Sequence, residues 1–260
     1  MKKNYGWHPD LPDFRDLIYK AVHKYSIQEL PSSVDLRPKM SPVENQNTLG
    51  SCTSFALAGA LEFLEEQSLV TKTASPEILS PNFYSSFSHL FIYYNERDME
   101  GDVNEDGGGQ LRDGIKTLAS LGACSEITWP YNESQVFVKP SEVAYQEALN
   151  HKITSYQSLS SISDMKHCLS EGFPFVFGFT VYDSFESEET AQTGILKMPG
   201  WNEGCVGGHA VCCVGYNDAE QMFIVRNSWG SNWGLQGYFK MPYQYMVNPN
   251  LASDFWTIRR

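Results

Sequence analysis

Apolar residues change their rhythm near the middle of this chain. From Cys52 to about Gln67, the positions Phe55, Leu57, Ala58, Ala60, Leu61 and Leu64 fall on more than one helical face, which predicts a helix buried nearly all round. "LSPNFYSSFSHLFIYYNERD", Leu79 to Asp98, predicts a second helix. In "QLRDGIKTLASLG", Leu111, Ile115 and Leu118 keep helical spacing up to Gly122, which stands where a C-cap belongs. The acidic, glycine-rich stretch between them, Glu100 to Gly109, reads as a loop. "KPSEVAYQEALNHK" and "SISDMKHCLSEG" predict two short helices, each with a serine near its start to accept the first backbone N–H groups. From "FPFVFGFTVY" onward the runs are short, aromatic or β-branched and bounded by Gly and Asn. "GGHAVCCVGYN", "QMFIVRNSW" and "GYFKM" therefore predict strands.

The first half is thus mainly helical and the second mainly β. This is an α+β layout of two lobes with a cleft between them. The expected divisions are a strap over residues 1–33, punctuated by Pro9, Pro12 and Pro31, a mainly helical lobe over 34–135 and a mainly β lobe over 136–260.

Composition narrows the function. With 260 residues the chain can bury a substantial core, and 19 basic against 31 acidic side chains leave a net charge of −12. Like charges repel phosphates, so no nucleic-acid partner is expected. No apolar run is long enough for a membrane helix. The opening "MKKNYGWHPDLPDFRD" has no apolar segment behind its lysines, so a cytoplasmic address is expected. The six cysteines, Cys52, Cys124, Cys168, Cys205, Cys212 and Cys213, are too dispersed for a small disulfide scaffold, and mostly reduced thiols are expected.

Cys52 stands at the predicted start of a helix, behind Gly50 and Ser51. Unpaired N–H groups and the positive end of the helix dipole favour thiolate there, although a free cysteine is as readily a buried structural residue. A nucleophile needs a base. His8, His23, His89, His151 and His167 lie in polar or helical contexts, whereas His209 heads an apolar strand behind two glycines that permit close approach of another chain. Asn227 ends a strand beside Trp229. Its carbonyl suits one imidazole nitrogen, and the indole would exclude water. Cys, His and Asn in this order point to acyl transfer by a thiol.

These residues resemble the papain/cathepsin family of cysteine peptidases from about Pro31 to at least Met241. "LGSCT" matches the nucleophile signature at Gly50, Ser51 and Cys52 and departs from it at Leu49 and Thr53. "GGHAVCCVGYN" is similar to the family's histidine strand, "IVRNSWGSNWGLQGYFKM" to its asparagine block, and "DGGGQLRDGIKTLASLG" to its glycine segment. The resemblance implies a papain-like two-lobe fold with a helical N-terminal lobe and a β-barrel-like C-terminal lobe. It implies catalysis by Cys52, His209 and Asn227 through a thioester. An oxyanion hole of Gln46 and the Cys52 N–H, substrate pairing at Gly108 and Gly109, and shielding by Trp229 are also implied, with no metal or other cofactor. Leu49 falls where secreted members carry a disulfide cysteine, and either no zymogen or a much shorter regulatory strap is expected in place of the family's long helical propeptide. The expected partner is a protein or peptide substrate.

Three other readings stay open. The fold could transfer the acyl group to an amine, or bind peptides without turnover. Cys205, His209, Cys212 and Cys213 could also form a metal module, although Cys212 and Cys213 would point to opposite faces of a strand. The strap "GWHPDLPDFRD" has two placements: packed across the lobes, or in the cleft as a block to substrate.

Overall fold

The computed structural model describes residues 4–20, 30–72 and 86–260 (for 70–72 the backbone only). Its helices in chain order are α1 (Cys52–Lys72), α2 (His89–Glu100), α3 (Leu111–Ser120), α4 (Glu142–Ala148), α5 (Ile162–Ser170), α6 (Glu188–Thr193) and α7 (Tyr243–Met246). Its strands are β1 (Ser33–Asp35), β2 (Ser155–Ser158), β3 (Phe175–Tyr182), β4 (Cys205–Asn217), β5 (Met222–Arg226), β6 (Tyr238–Pro242) and β7 (Ala252–Arg259). They form one antiparallel sheet in the order β2-β7-β3-β4-β5-β6, and β1 joins at the far end of β4. The sheet is open. Its end strands β2 and β6 do not pair, which corrects the barrel-like expectation for the second lobe.

Residues 52 to 64 of α1 are all buried, because the helix runs between the sheet at β4 and the helices α2 and α3. That enclosure accounts for apolar positions on more than one face. Helix α2 starts at His89, later than the sequence predicts. Ser88 caps it by accepting the N–H of Phe91, and Phe87 pairs with Ser125 in an isolated bridge. Positions 79–85 of the predicted helix lie outside the described residues. Gly122 follows α3 at φ +80°, the left-handed turn that ends the helix, and Ser141 and Ser161 cap α4 and α5.

Chain order and packing diverge at the lobe edges. Ser33–Asp35 pairs with β4, while Ala144 and Ala148 of α4 pack on Phe91 and Cys124 of the helical side. The strap reaches the opposite rim of the sheet, where Tyr19 donates its N–H to Ser158 O and Ser158 donates to Leu17 O. Those bonds cover the edge strand β2, whose backbone would otherwise be open to pairing. No helix among the described residues is long and apolar enough to cross a membrane.

Candidate active site

Cys52 is the first residue of α1 and is fully buried. The Ser51 hydroxyl pairs with that of Tyr131 at 2.9 Å, and the backbone N–H of Thr53 at the helix start favours the thiolate. The N–H of Ala210, next to His209 on β4, also donates to Sγ at 3.4 Å. Thus the helix start and the histidine strand meet at the sulfur.

His209 is fully buried. Its Nε2 lies 2.8 Å from Asn227 Oδ1, at the end of β5. Trp229 stacks on the imidazole at 5.2 Å between centroids and 27° between planes, and it also meets Phe185 and Trp233. The His209–Asn227 bond is consequently shut off from water. Both ring orientation and tautomer are constrained by it.

Gln46 is also buried. Its carbonyl Oε1 accepts the Ser228 hydroxyl at 2.6 Å, so its amide nitrogen must face the other way, where it donates to Leu49 O at 2.9 Å and Asn4 O at 3.4 Å. The Gln46 backbone is fastened as well, by its N–H to Ser228 O and by Tyr131 OH to its carbonyl. Ser228, overlooked in the sequence, is one residue beyond the predicted Asn227. Its only sequence signal is a small hydroxyl residue following the asparagine.

Gly108 and Gly109 lie across the cleft from His209 and carry the strap. Gly109 N–H donates to Gly6 O at 2.7 Å and Gly109 O accepts His8 N–H at 3.1 Å, a parallel bridge centred on Trp7. On the other wall Trp7 N–H donates to Gly208 O at 3.0 Å. A Cβ on Gly108, at φ +95°, would strike Gly6 O at 2.0 Å. Residues 6–8 of the strap thus run between Gly109 and Gly208, while Leu17 and Tyr19 lie along β2 at the rim.

Two carboxyl groups under the site carry no local sequence signal. Asp106 receives Gly50 N–H, Tyr93 OH and the Asn4 side chain, which fixes the bend before Cys52. Glu96, buried on α2, takes the hydroxyl of Thr53 and lies where a Cβ on Gly109 would fall, 2.9 Å away. Burial holds Glu96 well above the ordinary carboxyl range despite the Thr53 bond. Thr53 thus turns inward, away from the cleft, and Leu49 packs on Leu90, Tyr93 and Val136.

The thiolate expected at rest is not favoured beneath the strap. Burial pushes the Cys52 thiol up to about 11, against the pull of the N–H groups of Ala210, Gly6 and Thr53. The cysteines around His209 do not converge: Cys205 is exposed, and Cys213 turns to Gly215 O. A mixed cluster of Glu44, Glu62 and His89 lies elsewhere, with His89 Nε2 2.9 Å from Glu44 and Nδ1 3.5 Å from Glu126.

Fold and site define a thiol peptidase of the papain type. The family described as papain family cysteine protease matches residues 30–255, and the chain belongs to that family. It is similar to xylellain, a cysteine protease from Xylella fastidiosa, with 43% identity and a TM-score of 0.89, covering 99% of this chain and 96% of that one. An uncharacterized peptidase C1-like protein of Acanthamoeba polyphaga mimivirus is 40% identical over all of this chain and 88% of its own length. A cysteine protease of Blomia tropicalis is 28% identical over 80% of this chain and 60% of its own. The protein is a papain-like cysteine peptidase.

Proposed function

We propose that Cys52, His209 and Asn227 perform the hydrolysis once the strap has left the cleft. Asn227 takes His209 Nε2, so the proton exchanged with the sulfur belongs to Nδ1. Removing the strap returns water to the cleft and takes away the burial that raises the Cys52 thiol. Cys52 then passes its proton to His209 and forms an S–C bond to the scissile carbonyl. The electron pair moving onto oxygen is met by the Gln46 amide and the Cys52 N–H, the first aimed by Ser228. His209 gives the proton to the amine as the C–N bond breaks, leaving a thioester. Water, deprotonated by His209, cleaves the thioester, releases the acid and restores the thiol.

The observation that carries this reading is the meeting of Ala210 N–H with Cys52 Sγ, beside an imidazole clamped by Asn227. Gln46→Ala should lower kcat by about a hundredfold while KM changes little, because the amide acts on the developing oxyanion. Loss of KM alone would remove Gln46 from this role.

The docked strap is an intramolecular inhibitor in this reading. The Gln46 amide holds the Asn4 carbonyl, and the Gly6 N–H opposes the rise in the Cys52 pKa. Adding a strap peptide to the opened enzyme should inhibit it competitively, and noncompetitive or absent inhibition would contradict this.

A further inference from the structure

A buried charged cluster that the mechanism leaves unused stands behind Gln46. The backbone that carries Gln46 is fastened on one side to the residues after Asn227. Gly230 N–H donates to Glu44 O at 3.0 Å, Asn45 forms an isolated bridge with Trp229, and Gln46 N–H donates to Ser228 O at 2.9 Å. On the other side stands His89, the first residue of α2 and buried. Its Nε2 lies 2.9 Å from the carboxylate of Glu44, two residues before Gln46, and its Nδ1 lies 3.5 Å from that of Glu126. Glu126 in turn accepts the backbone N–H of Tyr131, whose hydroxyl donates to Gln46 O at 2.7 Å. Two chains of contact therefore leave the imidazole, and both end on the Gln46 backbone.

The imidazole is itself held. It stacks on Phe55 of α1 at 3.8 Å between centroids and 25° between planes, and Tyr131 meets both rings edge-on. Glu62, also on α1 and buried, is fixed by the Ser41 hydroxyl and by Phe87 N–H at 3.0 Å. Arg226 of β5 completes the surroundings and grips the start of the same segment at Pro42 O, 2.7 Å away. Burial disfavours a charge on His89, but the carboxylates of Glu126, Glu44 and Glu62 outweigh it and keep the ring an imidazolium. Buried ion pairs add little stability over an apolar core of the same shape, whereas they do fix their partners in one relative placement.

Resting on the peptidase reading above, we propose that His89 is a positioning residue for the oxyanion hole. Through Glu44 on one nitrogen, and Glu126 and Tyr131 on the other, it holds the Gln46 backbone where the side-chain amide can meet the developing oxyanion. Ser228 turns that side chain, and the His89 cluster sets the place from which it reaches. An oxyanion donor works only at hydrogen-bond distance from the transition-state oxygen. A backbone shift at residue 46 therefore slows turnover and leaves substrate binding, which uses Gly108 and Gly109, nearly unchanged.

The test uses the full chain carrying Gly6→Val, whose added side chain strikes the Gly50 carbonyl and opens the cleft. In that chain His89→Gln should lower kcat by about tenfold or more with KM nearly unchanged. Tyr131→Phe, which removes one hydroxyl and keeps the ring packing, should lower kcat with the same split. Both losses should shrink to about twofold or less when Gln46→Ala is already present, because residues acting through one group are not additive. Iodoacetamide alkylates a thiolate without forming an oxyanion, so its rate at Cys52 should stay within about twofold in both variants. Unchanged kcat in both variants, full losses on top of Gln46→Ala, or a matching fall in alkylation would overturn the proposal.

Hydrogen exchange separates this from the peptidase reading. In the full chain carrying Gly6→Val and Cys52→Ala, the first minutes of exchange report local opening. Over that time residues 42–49 should exchange about tenfold faster once His89→Gln is added, while β3 stays protected. Equal protection of residues 42–49 with and without His89→Gln would overturn the positioning role. Should no chain hydrolyse peptide while exchange changes as expected, the peptidase reading fails and the anchoring of Gln46 by His89 is upheld.

Discussion

The backbone of Gly6 lies so close to Gly50, two residues before Cys52, that a Cβ on it would fall 1.7 Å from the Gly50 carbonyl oxygen. The strap can come this close to the nucleophile only because residue 6 has no side chain. Gly50 belongs to the bend before α1 and is fixed to Asp106, so it cannot yield.

Gly6→Val should therefore expel the strap without touching any residue of the triad. Peptide hydrolysis by the full chain should rise about tenfold or more, since the competent fraction no longer pays for opening. A continuous fluorogenic assay measures this. Unchanged activity would mean that the strap already opens freely in solution.

Thiol labelling reports the same equilibrium without substrate. In the full chain at pH 7, Cys205 is exposed and Cys52 is covered, with its thiol pushed up to about 11 by burial. Iodoacetamide should modify Cys205 first, and Cys52 should become reactive on Gly6→Val substitution. Peptide mapping by mass spectrometry distinguishes the two. Rapid labelling of Cys52 in the unaltered chain would contradict a closed cleft.

Closure should depend on pH in a defined direction. Burial and the neighbouring Asp254 raise the docked Asp10 carboxyl to about 7, opposed by Trp256 and Arg112, with Asp16 also facing Arg112. A docked value above the free value means that docking takes up a proton. Its contribution is fully present below about pH 4 and is lost as pH rises to about 7. The activity ratio of the unaltered chain to Gly6→Val should climb across that window. Asp10→Asn should flatten the climb, and an unchanged profile would exclude Asp10.

His89 predicts a separate dependence of global stability. Burial opposes its charge, but hydrogen bonds to Glu126 and Glu44 outweigh that and raise it to about 9. The imidazolium ties α2 to Glu44, two residues from Gln46, and stacks on Phe55. Its stabilisation is complete below about pH 6.5 and is lost as pH rises through about 9. His89→Gln should lower unfolding free energy by about 3 kcal/mol at pH 6 and by much less at pH 10. Denaturation at the two pH values measures the difference. An equal loss at both would make His89 a packing residue only.

How much was legible followed the range of the contacts. Helical spacing of Leu111, Ile115 and Leu118 and the serine caps at Ser141 and Ser161 are local, and the sequence carried them. The start of α2 was not legible, because Phe87 leaves the helix to pair with Ser125, far along the chain. Cys52, His209, Asn227 and Gln46 were singled out by short motifs, and in the structure Asn227 holds His209, the neighbouring Ala210 meets Cys52, and Gln46 faces the strap. Ser228, Glu96 and His89 act through partners on other elements. His89 in particular reads as an ordinary helical histidine until Glu44 and Glu126 are seen against it. The occupied cleft itself depends on Gly6 meeting Gly50 and Gly108, a coincidence of distant glycines that no local pattern announces.

The most direct measurement is rapid-quench mass spectrometry of the Gly6→Val chain mixed with an excess of a peptide ester. A transient acyl adduct should form on Cys52 with appearance and decay that match turnover, and neither adduct nor turnover should be seen when Cys52→Ala is added. Full turnover in that double variant, or an adduct on another residue, would contradict it.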